Sequence, residues 1–480
     1  MTLSIPDLRP VLHVVGILIT LMGATMALPV LADLIAGHPD WRVFLAAMAL
    51  TGTLGGMMVL ATRGYQTVLS LRQAFLLTIL AWFILPAFGA LPLVFSARAL
   101  DFASAYFEAA SGLTTTGASV LSGLDDSPPG LLLWRQLLHW LGGLGIVVMM
   151  VAIMPMLQEG GMQIFRMESS DTSEKILPRA RQIVGAITSI YVSLTALCAL
   201  ILIFLGLGAF DAVSHAMSTV STGGFANYDA SISHFDSAAV DMTILTFMIL
   251  GGLPFLLILQ LIRGRPAVFW RDEQVRVFFG VIVFLSALMT LWLYYNNNYT
   301  LFESFRYGTF NIISVLTTTG LTNTNYFSWG SFATIVFLFV SLIGACAGST
   351  SGAIKIFRFI VVFKEMAKIA NKIVAPNGLF IAKYNKRKID NSVENSIFIF
   401  ILLFFAILVA ITFILSMTGL GFKESLFSAV ITITNVGVGP TGDIGAFSDL
   451  AKWTLSLAMV LGRLELFTVL VLISPAFWRG

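Results

Sequence analysis

Apolar runs long enough to cross a lipid bilayer alternate with short polar breaks along the chain. About 20 consecutive apolar residues span the hydrocarbon core, and Val11–Ala36 and Val43–Ala61 reach that length. Leu71–Phe95 is a third such run. A shorter, more polar segment follows, Asp101–Leu113, too short to cross, and then Leu131–Leu157 crosses again. The pattern predicts a unit of spanning helix, half-inserted helix, polar strip and spanning helix. It recurs with Arg181–Leu207, Asp211–Val220 and Ala238–Ile262, then with Val275–Tyr295, Leu301–Leu316 and a run from Gly330 onward. Its last appearance is Ile397–Met417, Lys423–Ile433 and Leu450–Ile473. The expectation is ten crossings and four re-entrant segments, the first two crossings standing outside the repeats.

The strips after the half-inserted helices are alike. They read Thr114-Thr115-Thr116-Gly117-Ala118-Ser119, Ser221-Thr222-Gly223-Gly224-Phe225, Thr317-Thr318-Thr319-Gly320-Leu321-Thr322 and Thr434-Asn435-Val436-Gly437-Val438-Gly439. With Gly117, Gly223, Gly320 and Gly437 taken as equivalent, the period is roughly a hundred residues, the mark of internal repeats. Phenylalanines keep the register upstream, at 102, 305 and 422 and again at 107, 310 and 427, while the second copy has Phe210 and Val213 nearby instead.

Non-helical backbone survives at membrane depth only where it is buried in protein or lines a water-filled cavity. Four such strips therefore need a common interior destination. Glycine lets a carbonyl turn inward where a Cβ would obstruct it, and rings of carbonyl oxygens replace the water shell of a monovalent cation. Each half-helix points its partially negative C-terminal end at the same centre. The strip cores hold no Asp or Glu, which disfavours a divalent-cation filter. The candidate filter residues are Thr115, Thr116, Gly117, Thr222, Gly223, Thr319, Gly320, Asn435, Val436 and Gly437. The fold expected is an all-α integral membrane protein: four helix–pore-helix–filter–helix repeats around a central pore, plus an N-terminal accessory helix pair. Its parts are 1–66 for the pair and 67–160, 161–266, 267–375 and 376–480 for the repeats.

Composition agrees. Hydrophobic residues make up 57% of the chain and charged residues 11%, with a mean hydropathy of +0.90, where a soluble domain is about 25% charged. The net charge of +3 is too small to suggest a nucleic-acid partner. Cys198 and Cys346 sit in apolar runs and read as buried thiols. No cleavable signal peptide stands out. Basic residues crowd three connections, with Arg63 and Arg72, Arg263 to Arg276, and Lys364 to Lys388, while the strip side carries Asp125, Asp126, Asp229, Asp236, Asp443 and Asp449. Basic loops stay in the cytoplasm, so the strips are expected to open outward with both termini inside.

Two further features stand out. The run from Gly330 to Phe363 is too long for one span, and its middle reads Gly344-Ala345-Cys346-Ala347-Gly348-Ser349-Thr350-Ser351-Gly352. Glycines and hydroxyls at that density make a poor helix interior, so two helical pieces joined by a mid-membrane loop are expected, with Lys355 and Arg358 at its cytoplasmic mouth. A tightly packed helix is the other reading. Arg463 lies about midway along the last span, where a charge costs at least ~2.5 kcal/mol, and must face the pore or an acidic partner. Glu465 is on another side of that helix.

The chain resembles the Trk/Ktr/HKT superfamily of potassium uptake proteins, and within it the bacterial TrkH/TrkG type. The resemblance rests on the strips, the N-terminal helix pair, Arg166-Met167-Glu168-Ser169-Ser170-Asp171, the Gly344–Gly352 break and Gly462-Arg463-Leu464-Glu465. It implies that the filter glycines map onto Gly117, Gly223, Gly320 and Gly437, with potassium as the ion in the filter. Gly117, where sodium-transporting plant relatives have serine, favours potassium over sodium. It also implies an intramembrane gate at Gly344, Gly348, Ser349 and Gly352, with Arg463 looking into the path beneath the filter. A homodimer in the lipid of a bacterial inner membrane is implied as well, with a cytosolic nucleotide-binding regulatory subunit of the TrkA type. The fourth strip departs furthest from Thr-x-Gly.

The histidines show no metal spacing, and neither a phosphate loop nor a nucleophile elbow is present. An enzyme is not expected, nor an organic cofactor on this chain. The reading is channel-like potassium uptake. The alternatives are a symporter coupling potassium to H+ or Na+, and a carrier of an organic solute, which would call for inverted halves.

Overall fold

A computed structural model of the chain describes residues 7–64, 69–152, 176–465 and 477. The Arg166–Asp171 segment and most of the charged stretch from Glu159 to Arg181 lie outside the described residues. The accessory pair is a hairpin. Arg9–Thr25 runs on through Ala27–Ala36 as one span and packs along Trp41–Ala61. Glycine sets the approach: a Cβ on Gly55 would meet Thr20 Oγ1 at 2.5 Å, and one on Gly16 would meet Met58 Cβ at 2.9 Å. Small residues are what allow helices to close up in lipid, where no hydrophobic force separates them from the tails. The buried Asp33 ties the pair to the rest, its Oδ1 accepting from the Gly130 N–H at 2.6 Å.

Each repeat follows one order: opening helix, short helix, strip, a turn of 3-10 helix, closing helix. The first is Leu71–Phe95, Phe102–Leu113, Leu124–Asp126 and Pro129–Ala152. The second is Ile176–Phe204, Ala209–Val220, Ser231–Phe235 and the pair Ala238–Gly252 and Phe255–Ile262. The third is Glu273–Asn296, Leu301–Leu316, Tyr326–Trp329 and the pair Ser331–Ile343 and Ile356–Val374. The fourth is Asn391–Met417, Phe422–Ile433, Ile444–Ala446 and Asp449–Arg463. The first and third short helices start on side-chain caps. Asp101 accepts from the Ser104 N–H, and Thr300 with Glu303 forms a capping box. Their C-terminal halves are buried, so a short amphipathic segment becomes an interior helix once opening and closing helices surround it.

Among the described residues, seven helices are long and apolar enough to cross a membrane, or eight with one bent pair. The shortfall from ten has identifiable sources. The second closing span is not continuous, as its two parts meet at 102° across Leu253-Pro254. Proline supplies no N–H and pushes the residue before it to extended backbone, and Leu253 has ψ 153°. The third closing span splits into two pieces around residues 344–355. The fourth is described only to Arg463 as helix. The phenylalanine register divides by depth: Phe107 and Phe310 are buried, whereas Phe102, Phe305 and Phe422 lie exposed on the outer surface.

Candidate functional site

The four short helices end alike. In each, the second residue past the helix takes positive φ: Thr115 at 51°, Thr222 at 53°, Thr318 at 58° and Asn435 at 56°. The N–H groups that follow bond back to the helix in the Schellman pattern. Thr115 donates to Gly112 O at 3.0 Å and Thr116 to Ser111 O at 2.9 Å; Thr222 and Gly223, Thr318 and Thr319, and Asn435 and Val436 repeat this pairing. Glycine is the usual residue at such a left-handed position. A β-branched threonine there stores roughly 1–3 kcal/mol of strain, a cost that clusters at functional sites.

Two residues on, the backbone is left-handed again, at Gly117 (82°), Gly224 (92°), Gly320 (79°) and Gly437 (75°). The matched glycine of the second strip is therefore Gly224. The sequence pairing of Gly223 with Gly117 was one residue out, because Val220 ends its helix as Leu113 does. Gly223 occupies the place of Thr116, Thr319 and Val436.

These glycines close a ring. A Cβ on Gly117 would collide with the Gly223 carbonyl oxygen, one on Gly224 with Thr319 O, one on Gly320 with Val436 O, and one on Gly437 with Thr116 O. Each strip thus lays a peptide oxygen against the next, and the fourth returns to the first. Side chains fasten the junctions. Asn435 Nδ2 donates to Thr116 Oγ1 at 2.8 Å and to Met459 O at 3.0 Å. Arg135 donates to Ser119 Oγ at 3.1 Å and to Ala226 O at 3.0 Å. Thr322 N–H donates to Ser231 Oγ at 3.2 Å, and Thr322 O accepts from the Ile232 N–H at 3.0 Å. The strip residues Thr115, Thr116, Thr222, Thr319, Asn435 and Val436 are buried.

Behind the first strip lies an ion pair absent from the sequence reading. Arg135 Nε meets Glu108 Oε1 at 2.8 Å, both residues at most 1% exposed. Glu108 also accepts from the Ser119 hydroxyl and the Val120 N–H, each at 2.9 Å. The third strip uses a parallel device: Asp241 accepts from Arg306 and from Asn323, each at 2.8 Å, and Asn311 donates to Asn323 at 2.7 Å. Neither pairing had a sequence signal, since the partners lie 27 to 82 residues apart.

The break in the third closing helix sits against the strips. Gly344, with φ 73°, ends the first piece and Lys355, also 73°, starts the second. The Gly352 N–H donates to Thr318 Oγ1 at 2.8 Å, and Thr222 Oγ1 donates to Thr350 Oγ1 at 3.1 Å. Thr350 in turn donates to Gly251 O at 3.0 Å. Ser349, Thr350, Ser351 and Gly352 are buried. Arg463 Nη1 donates to Thr350 O at 2.8 Å, while its Nε and Nη2 have no hydrogen-bond partner among the described residues. Glu465 pairs with Lys355 Nζ at 2.8 Å and with Arg358. The structure therefore brings the expected strip residues, the 344–352 break and Arg463 into one neighbourhood, and adds Gly224, Thr350 and Glu465.

A family model described as TrkH, cation transport protein, matches residues 41–479. The Trk system potassium uptake protein TrkI of Halomonas elongata is 37% identical, over 98% of this chain and 97% of that protein. The Trk system potassium uptake protein TrkH of Salmonella typhimurium is also 37% identical, over 98% and 99%. The crystal structure of the potassium transporter TrkH from Vibrio parahaemolyticus superimposes with a TM-score of 0.92 at 32% identity, covering 99% of this chain and all of that one.

The Glu108–Arg135 pair gives a stability prediction. Arg135→Met leaves a buried carboxylate without its counter-ion, a loss of about 3–5 kcal/mol. Thermal unfolding of the purified protein in detergent will show a marked fall in Tm for this variant. Glu108→Met with Arg135→Met will recover much of it.

Proposed function

The chain belongs to the TrkH family of cation transport proteins, and from that premise we propose that it takes potassium ions up across the cell membrane through the ring of four strips. The observation that carries this reading is the closed contact of peptide oxygens on left-handed glycines at Gly117, Gly224, Gly320 and Gly437. Backbone oxygens held on a buried, cross-braced ring can stand in for the water of a monovalent ion. The contributors are the peptides of residues 115–117, 222–224, 318–320 and 435–437. Gly117 in the first strip suits potassium rather than sodium. The ion then moves down its electrochemical gradient past residues 344–355.

That segment acts as the gate. Its hydrogen bonds to Thr222 and Thr318 place it directly on the strip ends, and glycines at 344, 348 and 352 let it change course. Arg463 holds the Thr350 carbonyl and keeps two N–H-bearing nitrogens without hydrogen-bond partners among the described residues. An intramembrane charge costs at least ~2.5 kcal/mol, so its retention fits a role in the ion path, where it repels a second cation and restrains the loop. Lys355 and Arg358, at the start of the second piece, pair with Glu465, which makes no ion pair with Arg463 among the described residues.

The strips open to the outside of a bacterial inner membrane, with both termini cytoplasmic. The support is the basic character of the connections at 263–276 and 364–388. The chain works as a homodimer with a cytosolic nucleotide-binding subunit of the TrkA type. Relatives carry Trk system names, and the hairpin Lys383–Lys388 exposes Lys383, Lys386, Arg387 and Lys388, a cationic face suited to an acidic partner.

Three measurements test the function. In planar bilayers the reversal potential of the reconstituted protein will follow the potassium gradient and not the sodium gradient. Uptake that collapses with a sodium or proton gradient at fixed voltage would replace the channel reading with symport. Gly320→Val will abolish rubidium uptake, since its Cβ has no room and its φ is 79°; normal uptake in that variant overturns the filter. Arg463→Ala will raise cation flux through vesicles containing the variant. Flux equal to that of the native protein removes Arg463 from the gate.

A further inference from the structure

Three of the four strips carry a branched side chain just before the left-handed glycine: Thr116, Thr319 and Val436. The second carries Gly223. Its backbone does not demand glycine, for Gly223 is not among the positive-φ residues. Space does. A Cβ on Gly223 would fall onto Cγ and Cδ2 of the His139 ring.

His139 arrives from the first closing helix and is fully buried. Its ring stacks on Phe225, with centroids 4.1 Å apart and planes 26° from parallel. Nδ1 lies 2.7 Å from Gly112 O, and Nε2 lies 3.1 Å from the Phe225 N–H. A carbonyl only accepts and an amide only donates, so Nδ1 bears the proton and Nε2 offers its lone pair. One neutral tautomer satisfies both.

A trans peptide is planar, so its N–H and C=O point opposite ways. Holding the Phe225 N–H outward turns the Gly224 carbonyl the other way. Ser218 Oγ does the same to the preceding peptide, accepting from the Gly224 N–H at 3.0 Å, and the Gly223 carbonyl accordingly faces Gly117.

The second and fourth closing helices mark the contrast. Gly142, Gly251 and Gly462 each press on the carbonyl that ends a short helix, at Leu113, Val220 and Ile433. Three positions before them stand His139, Met248 and Met459, all buried. Methionine is flexible and yields to a neighbour; an imidazole fixed at both nitrogens does not.

We propose that His139 is a positioning residue of the second strip: its ring takes the place of the side chain missing at 223 and holds the Phe225 N–H, so that the Gly224 carbonyl faces the ion. This rests on the filter reading above. His139 and Gly223 form an exchangeable pair, and together they set how well this quarter of the ring discriminates between potassium and sodium.

The test is a double-mutant cycle in reconstituted vesicles, reading rubidium uptake and the potassium-to-sodium permeability ratio. Gly223→Thr alone overpacks the site and lowers uptake by about tenfold or more. His139→Met keeps uptake but lowers the permeability ratio several-fold. The double variant His139→Met with Gly223→Thr regains uptake toward the His139→Met level. His139→Gln, which keeps a donor for Gly112 O and an acceptor for the Phe225 N–H, holds the ratio near the native value. If His139→Met does not yield folded protein, the cycle is run on His139→Leu with Gly223→Ala. A double variant no better than the Gly223 variant alone overturns the pairing, and an unchanged ratio in folded His139→Met or His139→Leu overturns the positioning role. Failure of the filter reading shows separately, as selective uptake surviving Gly320→Val.

Discussion

The whole arrangement depends on one steric constraint: four left-handed glycines stand with no room for a Cβ against the peptide oxygen of the neighbouring strip. Everything around the ring serves to hold that approach. The Schellman turns present each strip at the same angle from its short helix. The opening and closing helices bury the short helices and so keep irregular backbone out of lipid. Cross-links at Asn435, Arg135 and Ser231 fasten one strip to the next. Strain at Thr115, Thr222 and Thr318 is tolerated because these surroundings over-determine the backbone.

Much of this was legible in the sequence because the bilayer leaves few options. An apolar run of sufficient length must be a helix, and a Thr/Gly run after a helix too short to cross must turn inward. The glycines and hydroxyls of 344–352 announced a broken helix for the same reason. The second strip misled at the level of one residue. Gly223 and Gly224 are adjacent, and the Thr-Gly pair at 222–223 looked like the pair at 116–117. Only the position where the short helix stops, at Val220, shows that Thr222 matches Thr115. The bend at Leu253-Pro254 had a local signal in its proline, but the apolar run masked it. The Glu108–Arg135 and Asp241–Arg306 pairs could not be read at all, since no periodicity links residues that meet only after the repeats assemble.

The charges near the membrane interior sort into two kinds. Glu108 with Arg135, and Glu465 with Lys355 and Arg358, are joined in ion pairs. Arg463 is different. Among the described residues it has a carbonyl for a partner and no carboxylate. The contrast separates groups that hold the scaffold from one whose guanidinium donates to the broken segment of the third closing helix.

Because a single chain supplies all four quarters, their identities are not tied together. In an assembly of identical subunits, any substitution in the lining would appear four times around the axis, and an intolerable change in one place would be intolerable in every place. Here a glycine can give way to a neighbour's ring in one quarter while threonine and valine persist in the others. Each quarter of the ring can therefore change on its own, and the ring need never be symmetric.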